Sequence, residues 1–375
     1  MKILNSARPA WVEIDLSQLK RNFEIINRNK PANLKFVSVI KDQAYGHGAV
    51  EIGKLALEFG ATHLAVATID EALELREKGI IAPIMLFGER TDEELQLCLQ
   101  HGLTCFINDI EKAERYARWS AEKNKRAPIH FEVDTGLSRY GVRWTNAIEV
   151  IEHISSLKSL NLEGVMSHFA MSDELDKSFA LLQLERFQQV LTEIERRGIR
   201  IKFRHMCNSG GFLDLPQAHF DLVRIGILPL GVYPSQVCRR IPGLQPVMSV
   251  KCKVAAIRDL EGGDFVGYGM RYRAESPRRI AVLPIGYGDG YPRVRNKGHV
   301  LIHGKRAPII GGNAMDAMMV DITEIPQTKL WDEVVLMGKQ DNEEISVHEI
   351  AQLKGSVSYD ILTGWSWRLP RRYGK

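Results

Sequence analysis

Phe36-Val37-Ser38-Val39-Ile40-Lys41, followed by Asp42-Gln43-Ala44-Tyr45-Gly46-His47-Gly48, is the stretch on which the reading of this chain turns. A continuous apolar run rich in valine and isoleucine reads as a strand buried on both faces. A lysine that stops such a run is costly unless it reaches water, a counter-charge or a covalent partner. Two glycines, a tyrosine and a histidine follow within seven residues. In a parallel α/β protein the ends of the strands are where chemistry is done. Taken alone, the stretch equally suits a lysine that snorkels to water above an ordinary turn.

The bulk properties bound the rest. A chain of 375 residues exceeds what one core usually supports, so two domains are expected. Hydrophobic residues make up 45%, the net charge is only +4, and acidic and basic residues are interspersed. No basic stripe suited to nucleic acid or anionic lipid is visible. The N-terminus lacks the apolar core of a signal peptide, and no apolar run is long enough to span a bilayer. The five cysteines are scattered without metal-type spacing, which predicts reduced thiols, a cytoplasmic protein and no metal.

Outward from Lys41, apolar runs alternate with helical patterns. The expected strands are residues 36–40, His63 to Thr68, Pro83 to Phe87, Thr104 to Asn108, Ile129 to Val133, Leu162 to His168, Phe203 to Asn208 and Leu222 to Ile225. Helical periodicity covers Val50 to Phe59, Asp70 to Lys78, Thr91 to His101, Glu111 to Lys123, Asn146 to Ser156 and Phe179 to Arg197. Thr91 and Glu94 are spaced as a capping box. Eight strands with alternating helices predict an α/β fold with a (β/α)8 TIM-type barrel over residues 10–237, after an N-terminal segment of residues 1–9. The alternating strand Ala10 to Asp15 and its helix fall inside that range. From about residue 238 to 375 the chain turns to short glycine-punctuated β runs, and only Ser346 to Leu353 is helical. This predicts a mostly-β C-terminal domain.

If the barrel holds, its C-terminal rim collects Lys41, Glu132 with Arg139 close behind, His168, Asn208-Ser209-Gly210-Gly211, and Arg224-Ile225-Gly226-Ile227. Glycines after strands seven and eight suit a phosphate, because the backbone can approach it closely. Each residue alone has a structural explanation: a turn, a buried histidine, an ion pair. Jointly an amine, a phosphate cradle, an arginine and a histidine describe a pyridoxal 5'-phosphate site with Lys41 as the condensing lysine.

The chain also resembles the alanine racemases along essentially its whole length. Lys41 to Gly48 is similar to their cofactor-lysine signature. His130 to Gly141, His205 to Gly210, Val223 to Gly226, Val266 to Gly269, Ile285 to Arg293, Ala314 to Asp316 and Val357 to Tyr359 are similar to further family blocks. The resemblance implies that Lys41 binds the cofactor and acts as one base, and that Tyr268 from a partner subunit is the opposite base. It implies that Tyr45, Ser209, Gly226, Ile227 and Tyr359 hold the phosphate, with Asn208 beside them, and that Arg224 meets the pyridine nitrogen with His168 behind it. Arg139 and Met315, the latter from the partner, would take the substrate carboxylate, with Glu132, Tyr287 and Asp316 in support. A homodimer with shared sites and D-alanine supply to a bacterial cell wall are further implications. Guanidinium hardly ever releases its proton, so the ring nitrogen facing Arg224 should stay unprotonated.

Three departures from the family pattern bear on mechanism. Asp42-Gln43 replaces Ala-Asn or Ala-Asp after the lysine; this reads first as a tolerated change at the rim, and second as an added carboxylate that acts to raise the amine's pKa. At Glu132 many members carry a carbamylated lysine; a glutamate is already an anion, so Glu132 is expected to hold Arg139 directly. At Gly312 an arginine is usual; with the residues matching Asp173, Tyr287 and Arg293 it lines the mouth of the site. Its loss leaves serine or a broader range of amino acids open as substrates beside alanine. A barrel-type decarboxylase of basic amino acids is a weaker match, since it carries a cysteine in the block where this chain has Tyr268. A non-catalytic carrier of the cofactor would lack the β domain.

Overall fold

The computed structural model describes residues 7–374. Contacts divide the described residues into two compact units: residues 20–44 with 48–244, and residues 7–19 with 45–47 and 245–374.

The first unit is built on eight parallel strands: β1 (Lys35–Val39), β2 (His63–Val66), β3 (Ile84–Leu86), β4 (Thr104–Phe106), β5 (Ala127–Asp134), β6 (Leu160–Met166), β7 (Phe203–His205) and β8 (Leu222–Ile225). They are ordered β8-β1-β2-β3-β4-β5-β6-β7, each parallel to its neighbour. No regular ladder joins β7 to β8. Two backbone bonds span that seam instead, Asp221 N–H to Arg204 O at 3.1 Å and Arg224 N–H to Cys207 O at 2.9 Å. The barrel is therefore nearly closed, which leaves few strand edges to solvate. Its strands read as continuous apolar runs because they are covered on both faces: Phe36, Val37, Leu64, Val66, Met85 and Phe106 are all buried.

The helices follow their local signals. Thr68 and Thr91 each cap a helix with a complete capping box to Glu71 and Glu94. Helix Ala147–Ser156 buries Ala147, Ile151 and Ile154 at helical spacing, and Ser178–Arg196 buries Ala180, Leu184, Phe187, Val190 and Ile194.

The second unit is mostly β. Its large sheet runs, in spatial order, Ala256–Leu260, Arg278–Leu283, Met318–Asp321, Lys305–Ile310, His299–Ile302, Glu333–Gln340, Met248–Lys253, Ala10–Asp15 and Arg371–Gly374. Strand Ala10–Asp15 thus departs from the expectation that placed it in the barrel. It pairs antiparallel with Met248–Lys253 and parallel with Arg371–Gly374. The sequence pattern of alternating residues is the same for either partner; only the long-range pairing distinguishes them. Ser346 caps helix Val347–Lys354 through the Glu349 N–H, while the Glu349 carboxylate bonds Arg306 rather than completing a box.

Candidate functional site

The stretch after β1 is neither a simple strand end nor an ordinary turn. Asp42, Gln43, Ala44 and Tyr45 have φ of 50°, 53°, 52° and 53°, and Gly46 has 80°, so Lys41–Gly46 winds as a left-handed helical turn. Each L-residue there costs roughly 1–2 kcal/mol, so the surroundings must hold it. Glu71 does so by accepting from the Asp42 N–H with one oxygen and from the Ala67 and Thr68 N–H groups with the other. The Gln43 amide donates to Glu74 at 2.5 Å and accepts from the Ala49 N–H at 3.2 Å. Gly48 N–H donates to Gln43 O at 2.7 Å. The departure at Gln43 is therefore part of the scaffold that presents Lys41, whereas Asp42 contributes only its backbone N–H.

The Lys41 amine is shifted below the usual lysine range. Burial is the largest cause and the Arg139 charge the next, while Glu71 and Asp42 oppose them. The extra carboxylate at Asp42 acts in the upward direction but is outweighed by desolvation and by Arg139.

Arg224 is 2% exposed. One terminal nitrogen donates to His205 Nδ1 at 2.8 Å. The other is placed against Ser167 O at 2.9 Å, Met206 O at 3.0 Å and His168 Nδ1 at 3.0 Å. All four acceptors are neutral. Among the described residues the Nε–H meets none. Burial lowers the guanidinium pKa to about 10, with Glu132 the main charge opposing that fall, so the group stays cationic at neutral pH. Arg224 and burial together hold His168 and His205 well below the usual histidine range, so both are neutral.

Past β7, Asn208 caps the short helix Ser209–Asp214, accepting from Gly211 N–H at 2.9 Å and from Ser172 Oγ at 2.8 Å. Ser209 Oγ accepts from Gly226 N–H at 3.3 Å, which joins the ends of β7 and β8. A Cβ at Gly210 would lie 2.8 Å from Ser172 Oγ, and one at Gly211 3.0 Å from Cys207 Sγ. A side chain at either position would therefore have to displace its neighbours, which glycine avoids. The six-residue helix was not legible in the sequence, where Ser-Gly-Gly reads as a turn; Asn208 as a cap residue was the available signal.

Glu132 is 4% exposed on β5, and burial raises its pKa against the opposing charges of Arg224 and then Arg139. No hydrogen bond joins it to Arg139 among the described residues. Arg139 is exposed, its guanidinium 5.9 Å from the Tyr140 ring centre. The expected direct hold is corrected to a through-space one, directed first at Arg224.

The second unit carries the remaining candidates. Tyr45 packs edge-on against Tyr359, ring centres 5.9 Å apart. Tyr268 is 78% exposed on a short turn after Gly267, and Met315 is 54% exposed. Met315 O accepts from Gly288 N–H at 2.7 Å, and Asp316 is exposed beside it. Arg293 lies 5.8 Å from the Tyr287 ring centre. A Cβ at Gly312 would meet Arg295 Cγ at 3.6 Å and Tyr268 O at 4.0 Å, so another arginine lies against the position where the family's is missing.

The barrel residues fit the bound end of pyridoxal phosphate. They provide an amine with depressed basicity, a buried cation whose Nε–H has no acceptor among the described residues, and a pair of glycines after β7 where the chain packs closely. The five cysteines are unpaired and buried, no group suited to a metal occurs among the described residues, and no helix there is long and apolar enough to cross a membrane.

The profile of the "Alanine racemase, N-terminal domain" matches residues 14–234, and that of the "Alanine racemase, C-terminal domain" residues 247–373. An alanine racemase of Carboxydothermus hydrogenoformans is 42% identical over 368 residues, covering 98% of this chain and 100% of that protein. One of Methanococcus maripaludis is 38% identical, covering 98% and 99%. Among solved structures, the alanine racemase of Clostridium difficile 630 superposes with a TM-score of 0.94 at 32% identity, covering 98% of this chain and 96% of that one. The Bacillus anthracis enzyme with bound L-Ala-P gives 0.92 at 33% identity, covering 99% and 96%.

Proposed function

The chain belongs to the alanine racemase family of isomerases, which act on alanine, and from that premise we propose that it interconverts L- and D-alanine by a two-base mechanism with pyridoxal 5'-phosphate. Bound, the cofactor supplies the electron sink that makes the amino acid's Cα–H acidic. The chain's own residues do the rest. Lys41, released when substrate takes its place, holds or removes the Cα proton on one face. Its depressed pKa is what a base at neutral pH needs. Tyr268 of a second copy of the chain serves the other face. Two groups on opposite faces exchange the configuration without turning the substrate.

Arg224 orients the ring through its unspent Nε–H and, being cationic, keeps the ring nitrogen unprotonated. Ser209, the Gly226 N–H, Asn208, Ile227, Tyr45 and Tyr359 hold the phosphate. Arg139 and Met315 take the substrate carboxylate, and Glu132, His168, Tyr287 and Asp316 support them. The observation that carries this reading is Arg224: a buried cation satisfied only by neutral acceptors, whose Nε–H meets no acceptor among the described residues and so can donate outward.

We further propose a homodimer with shared sites, a cytoplasmic location and D-alanine supply to the cell wall. A chiral product assay with L-alanine, L-serine and L-lysine, run in heavy water with added cofactor, tests the function. Racemic alanine carrying deuterium at Cα is expected. Alanine that keeps its configuration and its proton, or faster turnover of the other two, would reject it.

A further inference from the structure

The hydrogen bonds that leave Arg224 do not end at His205. His205 Nε2 lies 2.8 Å from Nδ1 of His130, and both rings are fully buried. His130 is on β5 and His205 on β7; they meet over the intervening strand β6 because residue 164 there is glycine. A Cβ at Gly164 would fall 2.4 Å from the Nδ1 and Cε1 atoms of His130, so no other residue leaves room for the ring. Phe106 closes against His130 edge-on, ring centres 5.7 Å apart.

Chemistry sets the direction of this series. A guanidinium can only donate, so His205 Nδ1 must accept. A buried imidazolium beside a buried arginine is excluded by repulsion and desolvation. The His205 proton therefore sits on Nε2 and is donated to His130 Nδ1. The His130 proton then sits on Nε2, which is buried without a partner. His63 stands nearby, and its charge and that of Arg224, after burial itself, oppose protonation of His130, whose pKa falls to about 3.

We propose that His130 is a positioning residue for Arg224: acting through His205, it ends a one-way series of hydrogen bonds that fixes both imidazoles in the Nε2–H form and so fixes the guanidinium that faces the cofactor ring. The inference rests on the cofactor reading above for its functional consequence, and on the barrel geometry alone for its tautomers. Without an acceptor at position 130, the His205 N–H has no partner in the core, and the ring that locates Arg224 is free to turn.

Nitrogen–proton correlation spectra of 15N-histidine-labelled protein, with and without pyridoxal phosphate, read the tautomers directly. Both rings are expected neutral with the proton on Nε2 between about pH 6 and 9. A proton on Nδ1 of either ring, or titration of either in that interval, overturns the proposal. His130→Phe is expected to lower kcat by about tenfold or more, to leave KM within about threefold, and to weaken cofactor half-saturation by about tenfold. His130→Asn, whose amide oxygen can accept from His205, is expected to restore all three. Gly164→Ala should reproduce the defect by displacing the ring while removing no hydrogen-bonding group. His130→Phe indistinguishable from the parent, or His130→Asn no better than His130→Phe, overturns the assignment. If a variant does not fold, the spectra of the unsubstituted protein decide alone. If the cofactor reading itself is wrong, the parent will bind no pyridoxal phosphate, while spectra of the cofactor-free protein still test the series.

Discussion

Charge at a single amine is set here by competition between burial and neighbours. At Lys41 burial and Arg139 favour the neutral form, while Glu71 and Asp42 favour the charged one. The pH dependence of acylation of Lys41 in cofactor-free protein should therefore show a midpoint below that of free lysine. Arg139→Gln should move that midpoint up and Glu71→Gln should move it down. Glu132 gives a second case. Its folded pKa is raised, chiefly by burial. Its contribution to stability is then largest below its unfolded pKa and is lost as pH rises through its folded pKa. Glu132→Gln, nearly the same shape without the charge, should raise the thermal midpoint at pH 8 by on the order of 1–3 °C, and by less at acid pH. Calorimetry at the two pH values checks this.

Among the elements, the left-handed turn after β1 is the one whose conformation runs against intrinsic preference. Asp42 is exposed there with φ of 50°, and its carboxyl is raised by burial and by Glu71. Asp42→Gly removes both the backbone strain and the repulsion. We expect it to stabilise by about 1 kcal/mol in denaturant unfolding, with a larger gain at pH 8 than at pH 4. Glu71→Ala removes the acceptor shared by three N–H groups and should cost about 1–3 kcal/mol, with a fall in kcat because Lys41 is no longer presented. Gly46→Ala should be worse still. Gly46 has φ of 80°, and a Cβ there would lie 2.5 Å from the carbonyl oxygen of Leu362.

For the whole molecule, the proposed sharing of sites between copies makes a quantitative claim. Lys41→Ala and Tyr268→Phe homodimers should each be inactive or nearly so. If each site takes Lys41 from one copy and Tyr268 from the other, a mixed dimer has one site with both residues intact and one with neither. Unfolding and refolding an equimolar mixture should then recover up to about a quarter of the parent activity, since half the dimers are mixed and half their sites are whole. Recovery of nothing, with mixed dimers demonstrated by size and tag, would place both residues in one chain.

The barrel was legible because its strands are buried on both faces and so are written as uninterrupted apolar runs, each followed by a helix with its own cap, as at Thr91 and Glu94. The rim residues were legible for a related reason: Lys41, Arg224 and Ser209 interrupt or end those runs where burial makes a polar group conspicuous. Besides the short helix after Asn208, three features were not legible. Strand Ala10–Asp15 alternates identically whether it joins a barrel or a β sheet, and its partners lie more than two hundred residues away. The left-handed turn has no local signature, since Asp42 to Tyr45 prefer the opposite hand and are held there by Glu71 and Glu74 from the helix after β2. Glu132 looked like a partner for Arg139, and only the packed chain shows that burial and the charge of Arg224 act on its carboxyl more than Arg139 does. The order of residues was enough to write the barrel and to put Lys41 and Arg224 at the ends of its strands. The hand of a strained turn, the partner of an edge strand and the direction of a buried charge are sums over distant neighbours, and those exist only once the chain has folded.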